Sequence, residues 1–198
     1  MTTDNHLCVF LRVPRIGRVK TRLARDIGAV AAWSFYRSQL ARTIRVLDRD
    51  RRWQLWLAAT PESAVADCRL LGGRAVIGQG EGDLGMRMAR VIDALPPGPA
   101  VIVGADTPAL EPRHVAAAFK ALGRAEAVFG PAADGGYWLV GLRRRPRAPR
   151  IFDGVRWSTP HALAGTLANL GGRPHVFLET LEDVDDGAAY ERWRRRRL

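Results

Sequence analysis

The chain has 198 residues, a net charge of +11 and 47% hydrophobic residues, a globular composition with the length of one domain, residues 1–198, and not of two. No apolar run approaches the roughly 18 residues of a membrane span. Met1-Thr2-Thr3-Asp4-Asn5-His6 lacks the basic start of a signal peptide, so a cytoplasmic protein is expected.

The predicted elements alternate. Leu7–Leu11 reads as a buried first strand, followed by a basic loop and a helix over Val30–Leu47. Trp53–Ala59 is a second strand, ended by Thr60-Pro61, and Glu62–Leu71 a short helix. Arg74–Ile77 is a third strand, and a glycine-rich loop leads from it into a helix over Leu84–Leu95. Pro99–Gly104 is a fourth strand. Pro112, at a position that tolerates proline, opens a helix to Leu122. Ala127–Phe129 and Tyr137–Val140 are two strands in a hairpin-like arrangement. A helix over Pro160–Leu170, a strand over Val176–Leu178 and a helix from Asp186 or Gly187 complete the pattern. Strands spaced by helices imply an α/β fold of three layers, α/β/α. Its sheet is mostly parallel, with an antiparallel element where the hairpin joins. Ligands of such sheets bind at the C-terminal strand ends, near the point where the strand order reverses, so the residues just after each strand carry the information.

The charge is unevenly spread. Arg143, Arg144, Arg145, Arg147 and Arg150 lie in one proline-broken stretch, and Arg192, Arg194, Arg195, Arg196 and Arg197 in the tail. Removing those ten from +11 leaves +1. Solvated arginines, with the tail complementing a helix C-terminus, account for this pattern. An anionic partner is the alternative. Basic residues are not interleaved with aromatics, and no nucleic acid is expected. Cys8 and Cys68 form neither a disulfide framework nor a metal spacing and read as small core residues. The four histidines are scattered, and nothing suggests zinc.

Five stretches could carry chemistry. In "RVPRIGRVKTRLA", residues 12–24, Gly17 frees the backbone, and Lys20 and Arg22 beside a helix start suit a di- or triphosphate. In "GQGEGDLGMRM", residues 78–88, Gly80, Gly82 and Gly85 spell a dinucleotide-type loop, with Asp106 standing 21 residues further on. Glu81 and Asp83 would repel a pyrophosphate there. Asp83 as a helix cap, with Gln79 and Arg87 facing a ligand, fits better. In "VIVGADTPAL", residues 101–110, Asp106 at a strand end could hold a divalent cation on a nucleotide's phosphates; capping of the next helix is the alternative. In "LEDVDDGAAYERW", Asp183 and Asp185 share one side of an extended segment, with Asp186 a candidate helix cap. "GPAADGGYWLVGL", residues 130–142, places Asp134-Gly135-Gly136 at a tight turn.

These stretches, with "RWST" at 156–159, occur in the order of the DUF2064 family, which the chain resembles over residues 7–190. Those are bacterial transferases of the nucleotide-diphospho-sugar transferase superfamily with a GT-A-like fold, distantly similar to molybdenum-cofactor and 2-phospholactate guanylyltransferases. The resemblance implies Mg²⁺ or Mn²⁺ held by Asp106 and Asp185, with Asp183 as second choice. It implies Lys20 and Arg22 on the nucleotide phosphates, in a nucleotide-binding set with Arg12, Gly17, Gln79, Asp83 and Arg87. Asp134, Gly135, Gly136, Tyr137 and Trp157 would shape the acceptor side, with Asp134 as hydroxyl binder or general base beside the catalytic Asp106. Arg12 stands where the family usually has lysine. The G-x-G-x-R loop of sugar-nucleotide pyrophosphorylases is absent, which argues against a specific nucleotidyltransferase assignment. The expected partners are a nucleotide sugar, or an NTP in the nucleotidyl alternative, and a small acceptor. An NAD-type oxidoreductase built on Gly80-Gly82-Gly85 and a non-catalytic nucleotide-binding module are the readings from other classes.

Overall fold

The structure, a computed structural model, describes residues 4–66, 71–144 and 147–196. Met1–Thr3, Cys68, Arg145 and Arg197 lie outside the described residues. Among the described residues the elements in chain order are β1 (His6–Arg12), α1 (Thr21–Ile27), α2 (Ala29–Asp48), β2 (Gln54–Thr60), a 3₁₀ turn (Glu62–Ala64), β3 (Val76–Gly78), α3 (Leu84–Ala94), β4 (Ala100–Gly104), α4 (Pro112–Leu122), β5 (Ala127–Pro131), β6 (Tyr137–Leu142), α5 (Ala162–Leu170), β7 (His175–Phe177) and α6 (Gly187–Arg195).

The strands form one seven-stranded sheet in the order β3-β2-β1-β4-β6-β5-β7. All neighbours are parallel except β6, which runs antiparallel to both β4 and β5. The β5–β6 hairpin inserts its second strand between β4 and β5, the antiparallel element expected from the short Phe129–Tyr137 spacing. Side chains alternate across the sheet. Leu7, Val9 and Leu11 of β1 join Val101 and Val103 of β4 against Leu40, Ile44 and Leu47 of α2 and Val115 and Leu122 of α4. Cys8, Ala100 and Ile102 face the other way, onto Met88, Val91 and Ile92 of α3 and Leu170 of α5. Both faces are therefore covered, as a mostly parallel sheet requires.

Two expectations need correction. The segment before α2 was expected to be loop, but Thr21–Ile27 is a helix of its own, separated from α2 by Gly28 at φ 88°. Leu23 of this helix is fully buried with Phe35 and Val184, so tertiary packing sustains a helix too short to stand alone. Of the helix expected over Glu62–Leu71, the start is a 3₁₀ turn over Glu62–Ala64, and residues 67–70 lie outside the described residues. The last turn of α6 carries Arg192, Arg194 and Arg195, the charge sign that a helix C-terminus favours. Arg192 also reaches Glu182 at 2.5 Å.

Candidate active site

β1 runs between β2 and β4, and its two neighbours are reached by connections that go opposite ways, so the crevice opens beyond the C-terminal ends of β1 and β4. Arg12 ends β1 there, and Asp106 lies two residues past β4. The Tyr36 hydroxyl, from α2, accepts from the Arg12 backbone N–H and donates to its C=O, both at 3.0 Å, and so pins the strand end.

The loop after β1 comes back to the crevice at Lys20, which precedes α1 in a left-handed conformation, φ 47°. Its side chain is only 5% exposed, and Nζ donates to Asp106 Oδ2 at 2.9 Å and Asp185 Oδ1 at 2.5 Å. Burial alone would lower the Lys20 pKa. The two carboxylates outweigh it and hold the ammonium well above the ordinary lysine range. Asp185 arrives from the far end of the chain. Thr107 Oγ1 donates to Asp183, the Val184 N–H lies 3.5 Å from the Asp106 C=O, and Asp186 caps α6 by accepting from the Ala189 N–H at 2.8 Å. The Gly187 N–H then donates to Asp26 Oδ2 of α1 at 2.7 Å. A Cβ on Gly187 would sit 2.8 Å from Asp26 Cβ, so α1 and α6 meet too closely for a larger residue. Burial, reinforced by the Asp106 charge, pushes the Asp183 carboxyl up from its usual range. Asp106 does not cap the next helix. Glu111 and His114 form the cap of α4, leaving Asp106 to Lys20.

The opposite wall of this cleft, about 410 Å³ in volume, is formed by Gln79, Leu84 and Arg87, with Arg12, Arg18 and Arg22 along the rim. Gln79 is buried, and its Nε2 donates to the Leu11 and Ala58 carbonyls at 2.9 and 2.8 Å. Its Oε1 accepts from Arg87 Nη1 at 3.1 Å. Gln79 thus spends its amide on β1, β2 and Arg87, and aims the guanidinium. Burial, with the Arg12 charge beside it, lowers the Arg87 pKa, against the Asp83 carboxylate that raises it. Asp83 caps α3 by accepting from the Met86 N–H at 2.8 Å, and Glu62 accepts from the Gly80 N–H at 3.0 Å. Carboxylates of this loop and of the turn after β2 take the amides that a dinucleotide pyrophosphate would need, which removes the support for the NAD reading.

Of the residues expected from sequence, Arg12, Lys20, Arg22, Gln79, Arg87, Asp106 and Asp185 meet in this cleft. Gly17, at φ 73°, lies in the loop outside it, and Asp83 lies one residue before Leu84 on its edge. Asp134, Gly135, Gly136, Tyr137 and Trp157 form a separate cluster. Asp134 is exposed, and its Oδ1 accepts from the Gly136 N–H at 2.9 Å, closing its own turn. Gly135 has φ 84°, and a Cβ there would lie 2.2 Å from the Pro160 carbonyl oxygen. Its carbonyl accepts from the Leu163 N–H at 3.1 Å, so the hairpin tip is fastened to the start of α5. Tyr137 and Trp157 meet edge-on at 6.4 Å. The Trp157 ring packs under Gly85 of α3, one residue from the cleft-lining Leu84, and its Nε1–H is buried without a partner. Sequence reasoning missed Tyr36, which reads only as part of the apolar stripe of α2. It also missed the Thr107–Asp183 bond; both residues stood in quoted motifs, but only the fold joins them.

Two carboxylates, Asp106 and Asp185, converge on one cation, with Asp183 next to them. These hard oxygen donors suit Mg²⁺ or Mn²⁺, and a pair is enough where the ion keeps waters and takes phosphate oxygens. Among the described residues no group of three His, Cys, Asp or Glu side chains forms a closed metal cage, and no helix is long and apolar enough to cross a membrane.

Among solved structures, the chain is similar to a protein of Desulfovibrio desulfuricans G20 assigned to the nucleotide-diphospho-sugar transferases. The two are 27% identical, with a TM-score of 0.84, over 93% of this chain and 83% of that one. The fold is also that of glucosyl-3-phosphoglycerate synthase from Mycobacterium tuberculosis, a complex with Mn²⁺, UDP and glucosyl-3-phosphoglycerate (9% identity, TM-score 0.60, 96% and 75% covered). A cytidylyltransferase from Leptospira borgpetersenii shares it too (13% identity, TM-score 0.58, 89% and 76% covered). No curated protein matches the chain. The model of DUF2064, described as an uncharacterized protein conserved in bacteria, matches residues 43–159, more than half of the length, and the chain belongs to that family.

Proposed function

We propose that the protein is a metal-dependent transferase that uses a nucleotide-activated donor, with a nucleotide sugar as that donor. The observation that carries this reading is the convergence of Asp106 and Asp185, brought from separate segments, on a single cation at the mouth of a cleft walled by arginines. The solved folds named above, one holding UDP and Mn²⁺, support it.

Asp106 and Asp185 would hold Mg²⁺ or Mn²⁺, which when bound neutralises charge on the donor phosphates and on the leaving oxygen. Lys20 sits between the same carboxylates, so donor binding turns its ammonium toward the phosphates. Arg12, Arg22 and Arg87 add positive charge on the other side, and Gln79 keeps Arg87 pointed inward. No protein nucleophile is needed, because an acceptor held in line can displace the nucleotide. The hairpin tip, with Asp134, Gly135, Gly136, Tyr137 and Trp157, forms the acceptor side, and Asp134 is its hydroxyl binder or base.

The test is a calorimetric titration of nucleoside-diphosphate sugars and NTPs with and without Mg²⁺ or Mn²⁺, followed by product analysis. Metal-dependent binding, lost in Asp106→Ala, and release of a nucleoside diphosphate are expected. Release of pyrophosphate would replace glycosyl by nucleotidyl transfer, the alternative that the cytidylyltransferase fold keeps in view. Tight NAD(H) binding without metal would sink both.

A further inference from the structure

Arg144, Arg147 and Arg150, in the arginine stretch after β6, do not line the cleft. β6 runs antiparallel to β4, and Leu142 pairs with Ala100 at the beginning of that strand. Arg144 therefore lies at the end of the sheet remote from Asp106. A cavity of about 760 Å³ opens here between the end of α3 and the segment that follows β6, within the size range of small-molecule sites. Ile92 and Phe152 belong to its apolar floor, and Arg144, Arg147 and Arg150 supply its cations, against Asp93 and Asp153.

Arg144 is held in a way that ordinary surface solvation does not explain. Its backbone is left-handed, φ 58°, one of three such non-glycine residues among those described; Lys20 is another. Its Nη2 donates to the Leu95 and Pro96 carbonyls at 3.1 and 2.5 Å, which fixes the guanidinium across the loop before β4. The other terminal nitrogen, Nη1, is buried with no hydrogen-bond partner. In this stretch Arg143 reaches a carboxylate, Glu126 at 3.9 Å. Arg144, Arg147 and Arg150 make no ion pair among the described residues, although two aspartates line the same cavity. A guanidinium fixed on two carbonyls and left without a carboxylate partner, beside a cavity that Arg147 and Arg150 also line, is the arrangement that an incoming oxyanion completes.

We propose that this cavity is a second ligand site, one that takes a phosphate monoester on a flat apolar body, with the phosphate on Arg144, Arg147 and Arg150 and the body on Ile92 and Phe152. Three arginines against two aspartates leave one net positive charge, which favours an anion. The site shares α3 with the cleft at the other end of the sheet, since Arg87 lies on the first half of the helix and Ile92 and Asp93 on the second.

The probe is phenyl phosphate, titrated calorimetrically into the full chain with inorganic phosphate as the bare-anion control. One saturable site is expected, at least tenfold tighter for phenyl phosphate than for inorganic phosphate. The double variant Arg147→Gln, Arg150→Gln changes two exposed positions, so its fold should survive, and its affinity should fall at least tenfold. Arg144→Gln should lose more, with circular dichroism checking its fold; should it not fold, the double variant decides. Arg22→Ala, in the cleft, should leave phenyl phosphate binding unchanged. Three results overturn the proposal: no saturable binding, equal binding of inorganic phosphate, or loss in Arg22→Ala with retention in the double variant.

Discussion

The cleft and the hairpin tip each present an acid beside a loop, yet they are held by opposite means. Asp106 is bound by Lys20, 86 residues away, and Asp185 by the same lysine across 165 residues. Asp134 is bound by the Gly136 N–H, two residues away. The first arrangement exists only when β1, β4 and the segment before α6 are all in place. The second closes as soon as its own four residues turn. Charge in the cleft is therefore tied to global stability, whereas charge at the tip is free to change without it.

That contrast can be broken most directly at Lys20. Lys20→Met leaves two carboxylates facing each other with Asp183 behind them. The cost of orphaning a buried pair is about 3–5 kcal/mol, and the partial exposure of Asp106 and Asp185 places this case at the lower end, ~3 kcal/mol. Denaturant titration should show that loss, and millimolar Mg²⁺ should restore part of it. No response to the ion would separate the carboxylates from metal binding. Asp106→Asn should weaken metal-dependent nucleotide binding by about a hundredfold, roughly 2.7 kcal/mol, with the fold retained. Calorimetry that finds the wild-type affinity would end the assignment of Asp106.

At the tip the expected effects are smaller and differ in kind. Gly135→Ala places a methyl against the Pro160 backbone in a left-handed conformation and should cost about 2 kcal/mol. For a chain of this size that lowers Tm by about 4–8 °C, visible by calorimetry. Asp134→Asn should change stability by less than about 0.5 kcal/mol, leave donor affinity untouched and reduce turnover. Unchanged turnover and acceptor affinity would make Asp134 a turn residue and nothing more. The smallest effect lies away from both regions. His6 Nδ1 accepts from Trp56 Nε1 at 3.3 Å, so the neutral ring carries its proton on Nε2, toward the Pro97 carbonyl at 3.2 Å. Burial depresses the His6 pKa, so its contribution is present above the ordinary histidine value and fades as pH falls through the depressed one. His6→Gln should flatten that part of the acid-side stability profile, by less than about 1 kcal/mol, in urea melts at stepped pH.

Much of the fold could be read along the chain because its strands are short apolar runs with clear punctuation. Pro112 marked the start of α4, and Asp83 and Asp186 marked the caps of α3 and α6. The hairpin was legible for the same reason, its signal being contained in Asp134-Gly135-Gly136. α1 escaped because its stability comes from Leu23 packing on Phe35 and Val184, a contact no local pattern announces. The residues of the cleft could be named singly, but not their arrangement. Nothing near Lys20 in sequence says that it will sit between Asp106 and Asp185, and nothing near Gln79 says that its amide is consumed by Leu11, Ala58 and Arg87.

The latch between Asp26 and Gly187 carries a consequence for how the protein comes into being. Synthesis proceeds from the N-terminus, and earlier segments can begin to fold while later ones are still being added. Lys20 and Asp106 can meet once β4 has emerged, but Asp185 and the start of α6 follow some eighty residues later. On the ribosome the chain thus passes through a long interval in which β5, β6 and β7 are still being added and one carboxylate of the pair is missing. Over that interval the nascent chain cannot assemble the two-carboxylate site, and the cleft matures only as Gly187 docks on Asp26.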